Sequence, residues 1–311
     1  MGGDAEAKIE RAPAPAWRRD RGGFEMATSG WAHADSGRAG ELARRLARLS
    51  RAARTGIAFA TFGLAGILFA LCVAPVLRCL PGSAREREFR GQRLVHHWFR
   101  FFVRFMQGLG LHSVRIEGAE RLREPGQLVV ANHPTLLDVV LLVAQMPQAD
   151  CVVKRAAWSN PFMRWVVQAA GYVPNDLGEG LIEACATRLA AGRTLLLFPE
   201  GTRSPERGLG PFQRGTAHVA LRAGRPILPV FIHCDPPTLM RGQPWYDVPE
   251  RRFAYRIEVG EPIGPVQGSG GGRGAAARRL SAALRAFYQQ RLAAVGAAPG
   301  GGGLDGRPDG D

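Results

Sequence analysis

Hydrophobic and polar residues alternate in short blocks through the middle of the chain. Apolar runs of strand length occupy residues 113–117, 127–131, 150–154, 193–198, 226–232 and 253–259. Apolar residues recur at helical spacing over residues 134–145, 161–170, 181–191 and 213–223, and a last helix is predicted at 275–294. Strands and helices that alternate in this way predict an α/β fold, with a mostly parallel central sheet flanked by helices.

Prolines and glycines mark where the predicted helices begin and end. Pro134 and Pro161 stand where the first turns of two helices are predicted, a place where proline's missing N–H costs no hydrogen bond. Gly192 stands just past the end of a third helix, at a position that often takes a left-handed conformation.

A long apolar segment precedes this region. Residues 55–77 (TGIAFATFGLAGILFALCVAPVL) carry no charge, and roughly 20 such residues match the hydrocarbon thickness of a bilayer. Residues 94–111 interleave aromatic and basic side chains, which is typical of an amphipathic helix in the headgroup layer. We therefore predict an N-terminal membrane-associated helix pair. The pattern fits a span, a re-entrant anchor and a buried core helix, and arginines on both flanks give no orientation.

These patterns divide the chain into five predicted segments. Residues 1–40 and 296–311 lack apolar periodicity and are predicted to be disordered tails. Residues 41–111 form a basic segment with the membrane-associated helices. Residues 112–266 form the α/β domain, and residues 267–295 form a glycine-rich linker and the C-terminal helix.

Composition narrows the possible partners. The net charge of +14 suits nucleic acid, an anionic membrane surface or an acidic substrate, and it also fits ordinary solvated arginines. No helix-turn-helix, zinc-finger, RRM or KH pattern is present, so we expect no nucleic-acid partner. The five cysteines form no CxxC pair, which argues against a disulfide framework, favours a reducing compartment and predicts no metal site.

Two polar motifs follow predicted strands. The first is NHPTLLD, residues 132–138, in which His133 lies on the loop and can fold back to share a proton with Asp138. A histidine oriented by a carboxylate is a suitable base for acyl transfer to an alcohol, although a lone histidine at a strand end is more often structural. The second is FPEGTRS, residues 198–204, where Gly201 allows close backbone approach and Arg203 offers a planar fork suited to phosphate. Both motifs should face one crevice, because sites in parallel sheets gather at the carboxyl ends of strands.

The order and spacing of the two motifs resemble the signature of the glycerolipid acyltransferases of the lysophosphatidic-acid type, NHxxxxD followed by an FPEGTRS-like block. The resemblance extends over residues 128–232 and includes Lys154, the stretch at 171–174, and the blocks at 212–215 and 228–230. It implies that His133 is the general base and that Asp138 orients it. The residues expected to bind substrate are Asn132, Lys154, Glu200, Gly201, Thr202 and Arg203.

The resemblance also implies a reaction and a location. We expect direct transfer of a fatty-acyl group from acyl-CoA or acyl-carrier protein to 1-acylglycerol-3-phosphate, giving phosphatidic acid, without a cofactor. A covalent route through Cys151 or Ser204 has no signature of an activated nucleophile. The expected location is the inner (cytoplasmic) membrane, on an anionic leaflet, with the catalytic domain facing the cytoplasm where thioester donors are found.

One departure from the family pattern keeps the acceptor open. Many members end the second block with an arginine that helps to hold the phosphate, whereas this chain has VPNDL at residues 173–177. Asp176 there would repel a phosphate. The same chemistry on another acceptor, such as a lyso-ornithine lipid or a secondary-metabolite alcohol, is therefore an alternative. A non-catalytic membrane scaffold is a distant one.

Overall fold

The computed structural model describes residues 30–206, 208–264 and 272–297. Residues 1–45 and 46–311 are separate units, and the described part of the first is the beginning of a helix. Residues 1–29 and 298–311, which belong to the predicted tails at 1–40 and 296–311, lie outside the described residues, as do residues 267–271 of the predicted linker. Residues 30–40, which the sequence assigns to the first tail, are helical.

The N-terminal part of the described chain is helical. Helix α1 spans Gly30–Leu68, a π-helical turn spans Phe69–Val73, α2 spans Ala74–Cys79 and α3 spans Ala84–Gly108. The wider π turn precedes Pro75, whose ring would clash with a carbonyl one turn back in a regular helix. Within the described residues, one helix, Glu41–Cys79, is long and apolar enough to cross a membrane, with a mean hydropathy of 2.4.

One face of this long helix packs on the rest of the protein. The ring of Phe62 contacts Phe99 and Phe102 of α3, with ring centroids 6.2 and 5.2 Å apart. Helix α3 begins at a capping box, because Ser83 accepts the N–H of Glu86 while the Glu86 carboxylate accepts the N–H of Ser83. The predicted pair of N-terminal helices is therefore present, and the sequence underestimated the length of both.

A seven-stranded sheet forms the centre of the domain, in the order β1-β7-β6-β2-β5-β3-β4. Every pairing is parallel except that of β6 with β7, which confirms the predicted mostly parallel sheet flanked by helices. All six predicted strands are present; β4 was missed because it has only two residues, one of them a proline. The strands are β1 (His112–Glu117), β2 (Leu128–Ala131), β3 (Asp150–Val153), β4 (Val173–Pro174), β5 (Leu195–Leu197), β6 (Ile227–Asp235) and β7 (Phe253–Val259).

Helices cover the two faces of the sheet. On one face α3, α4 and α6 enclose an apolar core, and α7, α8 and α9 enclose a second core on the other. After a 3-10 turn at Ala119–Arg123, the helices are α4 (Asp138–Val143), α5 (Arg155–Ser159), α6 (Arg164–Ala169), α7 (Glu179–Ala190), α8 (Arg214–Ala223) and α9 (Gly272–Ala297).

Two predicted helix starts are wrong, and hydrogen bonds explain both. Helix α4 begins at Asp138 rather than Pro134, because the Asp138 carboxylate accepts the N–H of Thr135 and holds the preceding turn outside the helix. Helix α6 begins at Arg164 rather than Pro161, because the Asn160 side chain accepts two backbone N–H groups of that turn. The prediction for Gly192 is confirmed: it follows the end of α7 with φ 74°.

A buried ion cluster ties α3 to the domain. Asp150 is fully buried at the start of β3 and accepts hydrogen bonds of 2.6 Å from both Arg188 and Arg193. Arg193 also donates to Glu88 of α3, at 2.6 Å. Removing one member of such a cluster would leave an uncompensated buried charge, so the cluster fixes the position of α3 against the sheet.

Candidate active site

The two polar motifs leave the sheet side by side. Strand β2 lies between β5 and β6 and is parallel to both, with Val130 opposite Leu197 and Ala131 opposite Val230. The loop at 132–138 and the loop at 198–204 therefore begin at adjacent carboxyl ends, as the sequence predicts. Two hydrogen bonds join them directly: Ser204 N–H donates to the carbonyl of His133 at 2.7 Å, and His133 N–H donates to Glu200 Oε1 at 3.0 Å.

His133 and Asp138 form a side-chain pair. His133 Nδ1 lies 2.8 Å from Asp138 Oδ2, and the side chains are 17% and 0% exposed respectively. The imidazole stacks on Phe198, with ring centroids 4.3 Å apart. Burial raises the pKa of the Asp138 carboxyl above its ordinary value, while hydrogen bonds from His133 and Thr135 oppose this rise. An imidazole held at Nδ1 by a carboxylate leaves Nε2 to act on a substrate.

A buried chain of hydroxyl groups supports Asp138 from behind. Thr135 Oγ1 donates to Asp138 Oδ1 at 2.7 Å and lies 2.6 Å from the hydroxyl of Tyr255. Since the Thr135 hydroxyl has one proton and it is directed to Asp138, the Tyr255 hydroxyl donates to Thr135. With the Thr135 N–H donating to Oδ2, both carboxylate oxygens are held in place.

Glu200 connects the two loops from inside. It is buried, and its carboxylate accepts the His133 N–H, the Ser204 hydroxyl at 2.8 Å and the Gly210 N–H at 2.8 Å. A carboxylate with three internal donors braces the loops on which the histidine stands. Its predicted contact with substrate stays a prediction.

Asn132 also makes its contacts inside the protein. Its side-chain amide donates to the carbonyl of Ile232 at 2.8 Å and accepts the Ile232 N–H at 2.7 Å. This bidentate contact continues the pairing of β2 with β6 by one residue. It fixes the point at which the loop that carries His133 leaves the sheet.

The remaining predicted substrate-binding residues lie nearer the surface. Lys154, at the end of β3, donates to Thr202 Oγ1 at 3.2 Å. Arg203 Nη1 donates to the carbonyls of Leu239 and Met240 at 2.9 and 2.7 Å, so one arm of its guanidinium holds the loop between β6 and β7. Gly201 has φ 64°, a left-handed conformation that favours glycine. Lys154 and Thr202 are thus in contact, and Arg203 follows Thr202 on the loop that is hydrogen-bonded to the loop of His133.

The two alternative nucleophiles are poorly placed for attack. Cys151 is buried in β3, and burial raises the pKa of its thiol far above the ordinary value. Ser204 is also buried, and its hydroxyl donates to Glu200 rather than to a base. A cavity of about 420 Å³ lies near the two loops, lined by Pro134, Ser204 and Cys234 among others, but His133 is not among its lining residues.

Comparisons with known proteins agree on one family. The model of the acyltransferase family matches residues 113–233. A 1-acyl-sn-glycerol-3-phosphate acyltransferase of Pseudomonas aeruginosa is 26% identical over 62% of this chain and 71% of its own length. The enzyme of the same name from Saccharomyces cerevisiae is 29% identical over 54% of this chain and 56% of its own length. Residues 113–233 of this chain are therefore similar to the acyltransferase family.

One further relative and one solved structure are similar to this chain. A chloroplastic 1-acyl-sn-glycerol-3-phosphate acyltransferase of Brassica napus is 26% identical over 45% of this chain, which spans only 43% of that relative. The crystal structure of the 1-acyl-sn-glycerophosphate acyltransferase PlsC from Thermotoga maritima matches with a TM-score of 0.59 and 21% identity, over 79% of this chain and 98% of that one. That likeness shows the fold.

The candidate site contains residues that the sequence did not reveal. Phe198 belongs to a recognised motif but was not expected to stack on the histidine. Thr135 occupies a variable position of the first motif, and Tyr255 lies in β7, outside the matched residues 113–233. The alternation of buried and half-buried residues in β7 places Tyr255 on the inner face, but nothing in the pattern indicates its partner.

Proposed function

We propose that this protein is a membrane-bound O-acyltransferase that transfers a fatty-acyl group from acyl-CoA or acyl-carrier protein to 1-acylglycerol-3-phosphate, giving phosphatidic acid. The observation that carries the proposal is the 2.8 Å contact between His133 Nδ1 and the buried Asp138 carboxylate, on a loop that is hydrogen-bonded to the loop of Arg203. The names of the relatives support the acceptor.

The role of His133 as the base follows from which of its ring nitrogens has no partner in the Asp138 contact. Asp138 holds the Nδ1–H, so Nε2 takes the proton of the acceptor hydroxyl as its oxygen attacks the thioester carbonyl. The new C–O bond forms, the C–S bond breaks, and the proton passes from His133 to the departing thiolate. No acyl-enzyme forms, and the route uses neither a cofactor nor a metal ion. Because a thiolate leaves readily, positioning of the two substrates is the main contribution of the protein.

The acceptor's phosphate has suitable partners near the histidine. Lys154 is exposed and Thr202 half-buried, and their side chains already contact each other. Arg203 is half-buried and uses Nη1 for backbone carbonyls, which orients the rest of its fork. In this proposal these three residues hold the phosphate, while Glu200, Gly201 and Asn132 shape the loops around it.

The long N-terminal helix supports a membrane location. Apolar side chains stand on the surface of the described helix, including Ile57, Leu64 and Leu71, which are 51%, 57% and 71% exposed. Exposed apolar area of this kind is stabilised when lipid covers it. We place the helix in the inner (cytoplasmic) membrane, with the domain facing the cytoplasm and an anionic leaflet, because thioester donors are cytosolic.

The test is an acylation assay with purified protein in detergent. Labelled acyl-CoA and acyl-carrier protein are each offered with 1-acylglycerol-3-phosphate, beside His133→Ala and the matched control His218→Ala on α8. The proposal requires wild type and His218→Ala to form phosphatidic acid and His133→Ala to lose at least about 100-fold in rate. Equal activity of His133→Ala and wild type would refute the assignment of the base.

A second acceptor class is favoured by one region of the structure. Residues 173–177 contain no arginine, and Asp176 lies 3.7 Å from the guanidinium of Arg155, the residue after Lys154. The charge of Arg155 is therefore partly neutralised. We include glycerol-3-phosphate, other lysophospholipids and a lyso-ornithine lipid in the same assay. Acylation of one of these alone would keep the chemistry and change the substrate.

A further inference from the structure

Two arginine side chains lie over one tryptophan ring near the end of the uncharged N-terminal segment. The guanidinium groups of Arg78 and Arg164 lie 4.8 and 4.7 Å from the centroid of the same indole ring, that of Trp165. Arg78 is the first charged residue after the uncharged segment 55–77, and Trp165 belongs to α6. Two cations on one ring create an excess of positive charge at this point of the surface.

A cavity opens beside this ring. It has a volume of about 240 Å³, and we call it the α2–α6 cavity. Its polar lining includes Arg78, Arg87 and Gln168, and its apolar lining includes Leu77 and Ala169. At about 30 Å³ for each water molecule, the space would hold about eight waters. That is room for a phosphate and its glycerol, with acyl chains leaving over the apolar lining.

The acidic residue of this cavity does not cancel its charge. Glu88 lines the cavity, but its carboxylate is paired with Arg193 at 2.6 Å and Arg188 at 3.6 Å. Among the ion pairs of residues 30–206, 208–264 and 272–297, none joins a carboxylate to Arg78, Arg87 or Arg164. Arg87 Nη1 donates to the carbonyl of Gly82, and the remaining N–H groups of Arg87 and the guanidinium of Arg78 can bind an anion.

We propose that the α2–α6 cavity binds the phosphate group of an anionic phospholipid, at a site separate from that of the acyl acceptor. Arg78 and Arg87 hold the phosphate, and the apolar lining takes the first carbons of the chains. The position of the cavity agrees with a phospholipid ligand, because the cavity lies where the uncharged segment 55–77 ends. Tryptophan and arginine side chains favour the headgroup layer of a membrane. The site does not require the proposed acyltransferase activity.

The test measures lipid binding without any acylation. Full-length protein in a neutral detergent is titrated with phosphatidylglycerol that carries brominated chains, and tryptophan quenching is recorded. Phosphatidylcholine with the same chains is the comparison, and Trp165→Phe identifies the share of quenching that comes from this ring. The test variant is Arg78→Gln with Arg87→Gln. The matched control is Arg115→Gln with Arg251→Gln, which removes equal charge from two exposed ion pairs elsewhere.

The expected result is a loss of about fivefold in affinity for phosphatidylglycerol for each arginine removed, or about 25-fold for the pair. The control should change less than about twofold, and Arg78→Gln alone, an exposed position, should keep the wild-type unfolding temperature. Quenching by phosphatidylcholine equal to that by phosphatidylglycerol, or an equal loss in the control, would overturn the proposal. Displacement of the lipid by millimolar inorganic phosphate would show a free-phosphate site instead.

Discussion

Thr135→Val removes the hydroxyl group that supports the Asp138 carboxylate from behind. In the wild-type protein this hydroxyl donates to Asp138 Oδ1 at 2.7 Å and lies 2.6 Å from the hydroxyl of Tyr255. Valine has nearly the same shape, so the change leaves Asp138 one donor short in a fully buried position. Asp138 can then rotate or gain a proton, and either change weakens its hold on His133.

The size of the loss in activity can be estimated because the hydrogen bond that is removed is accepted by a charged group, the Asp138 carboxylate. A hydrogen bond to a charged group contributes about 1.5–3 kcal/mol. If that energy is lost from the transition state, the rate constant kcat falls about 10- to 150-fold, at 1.4 kcal/mol for each factor of ten. Tyr255→Phe removes a neutral bond one step further away, worth about 1 kcal/mol, and should cost about fivefold.

The assay is steady-state acylation at fixed detergent, with kcat and KM determined separately. We expect the loss in kcat with little change in KM, and we expect Thr135→Ser to recover most of the activity because serine keeps the hydroxyl. Thermal unfolding of each variant serves as the control for folding. The reasoning fails if Thr135→Ser is as slow as Thr135→Val, or if only KM changes.

Three further perturbations test other contacts of the structure. Glu200→Gln replaces one carboxylate oxygen by an NH₂ group that faces a backbone N–H, so the free energy of unfolding should fall by about 1–3 kcal/mol. A rise in KM at unchanged stability would show instead that Glu200 binds the acyl acceptor. Gly91→Ala places a Cβ against the carbonyl oxygen of Ala169 and should lower the unfolding temperature, whereas Gly108→Ala in the same helix meets no atom within 4 Å and should not. Burial lowers the pKa of His112 to about 4. Between pH 6.5 and 4 the unfolded state therefore binds more protons than the folded state. The free energy of unfolding should fall by about 3 kcal/mol as the pH drops through that range. His112→Leu should lose this dependence in acid unfolding curves, and an unchanged curve would contradict the assignment.

The sheet and the two motif loops could be predicted because both depend on local pattern. A buried strand needs an unbroken apolar run, and parallel strands send their following loops to one edge. The contact between His133 and Asp138 was predicted because His133 lies on the loop before the helix and can fold back. The start of α4 was not predicted, because Pro134 favoured an earlier first turn and the competing hydrogen bonds of the Asp138 side chain are invisible in apolar periodicity.

The hydrogen bonds that hold Asp138 and the two motif loops in place could not be predicted, because they join distant parts of the chain. Tyr255 lies 120 residues after Thr135, and no spacing rule relates a variable motif position to an inner-face tyrosine. The resemblance implied a substrate contact for Glu200, which stays a prediction, and gave no sign of its bonds inside the protein. The loops after β2 and β5 leave backbone N–H groups unpaired, however, and the carboxylate satisfies them.

The packing of Phe62 against Phe99 and Phe102 has a consequence for how this protein can be divided. A membrane helix joined by a flexible linker is a detachable module, which evolution or an engineer can delete or exchange without harm to the catalytic part. Here Phe62 of the long apolar helix packs on the core residues Phe99 and Phe102, so the helix and the domain share one core. A hybrid enzyme with a new anchor would have to carry the matching surface of α3 as well.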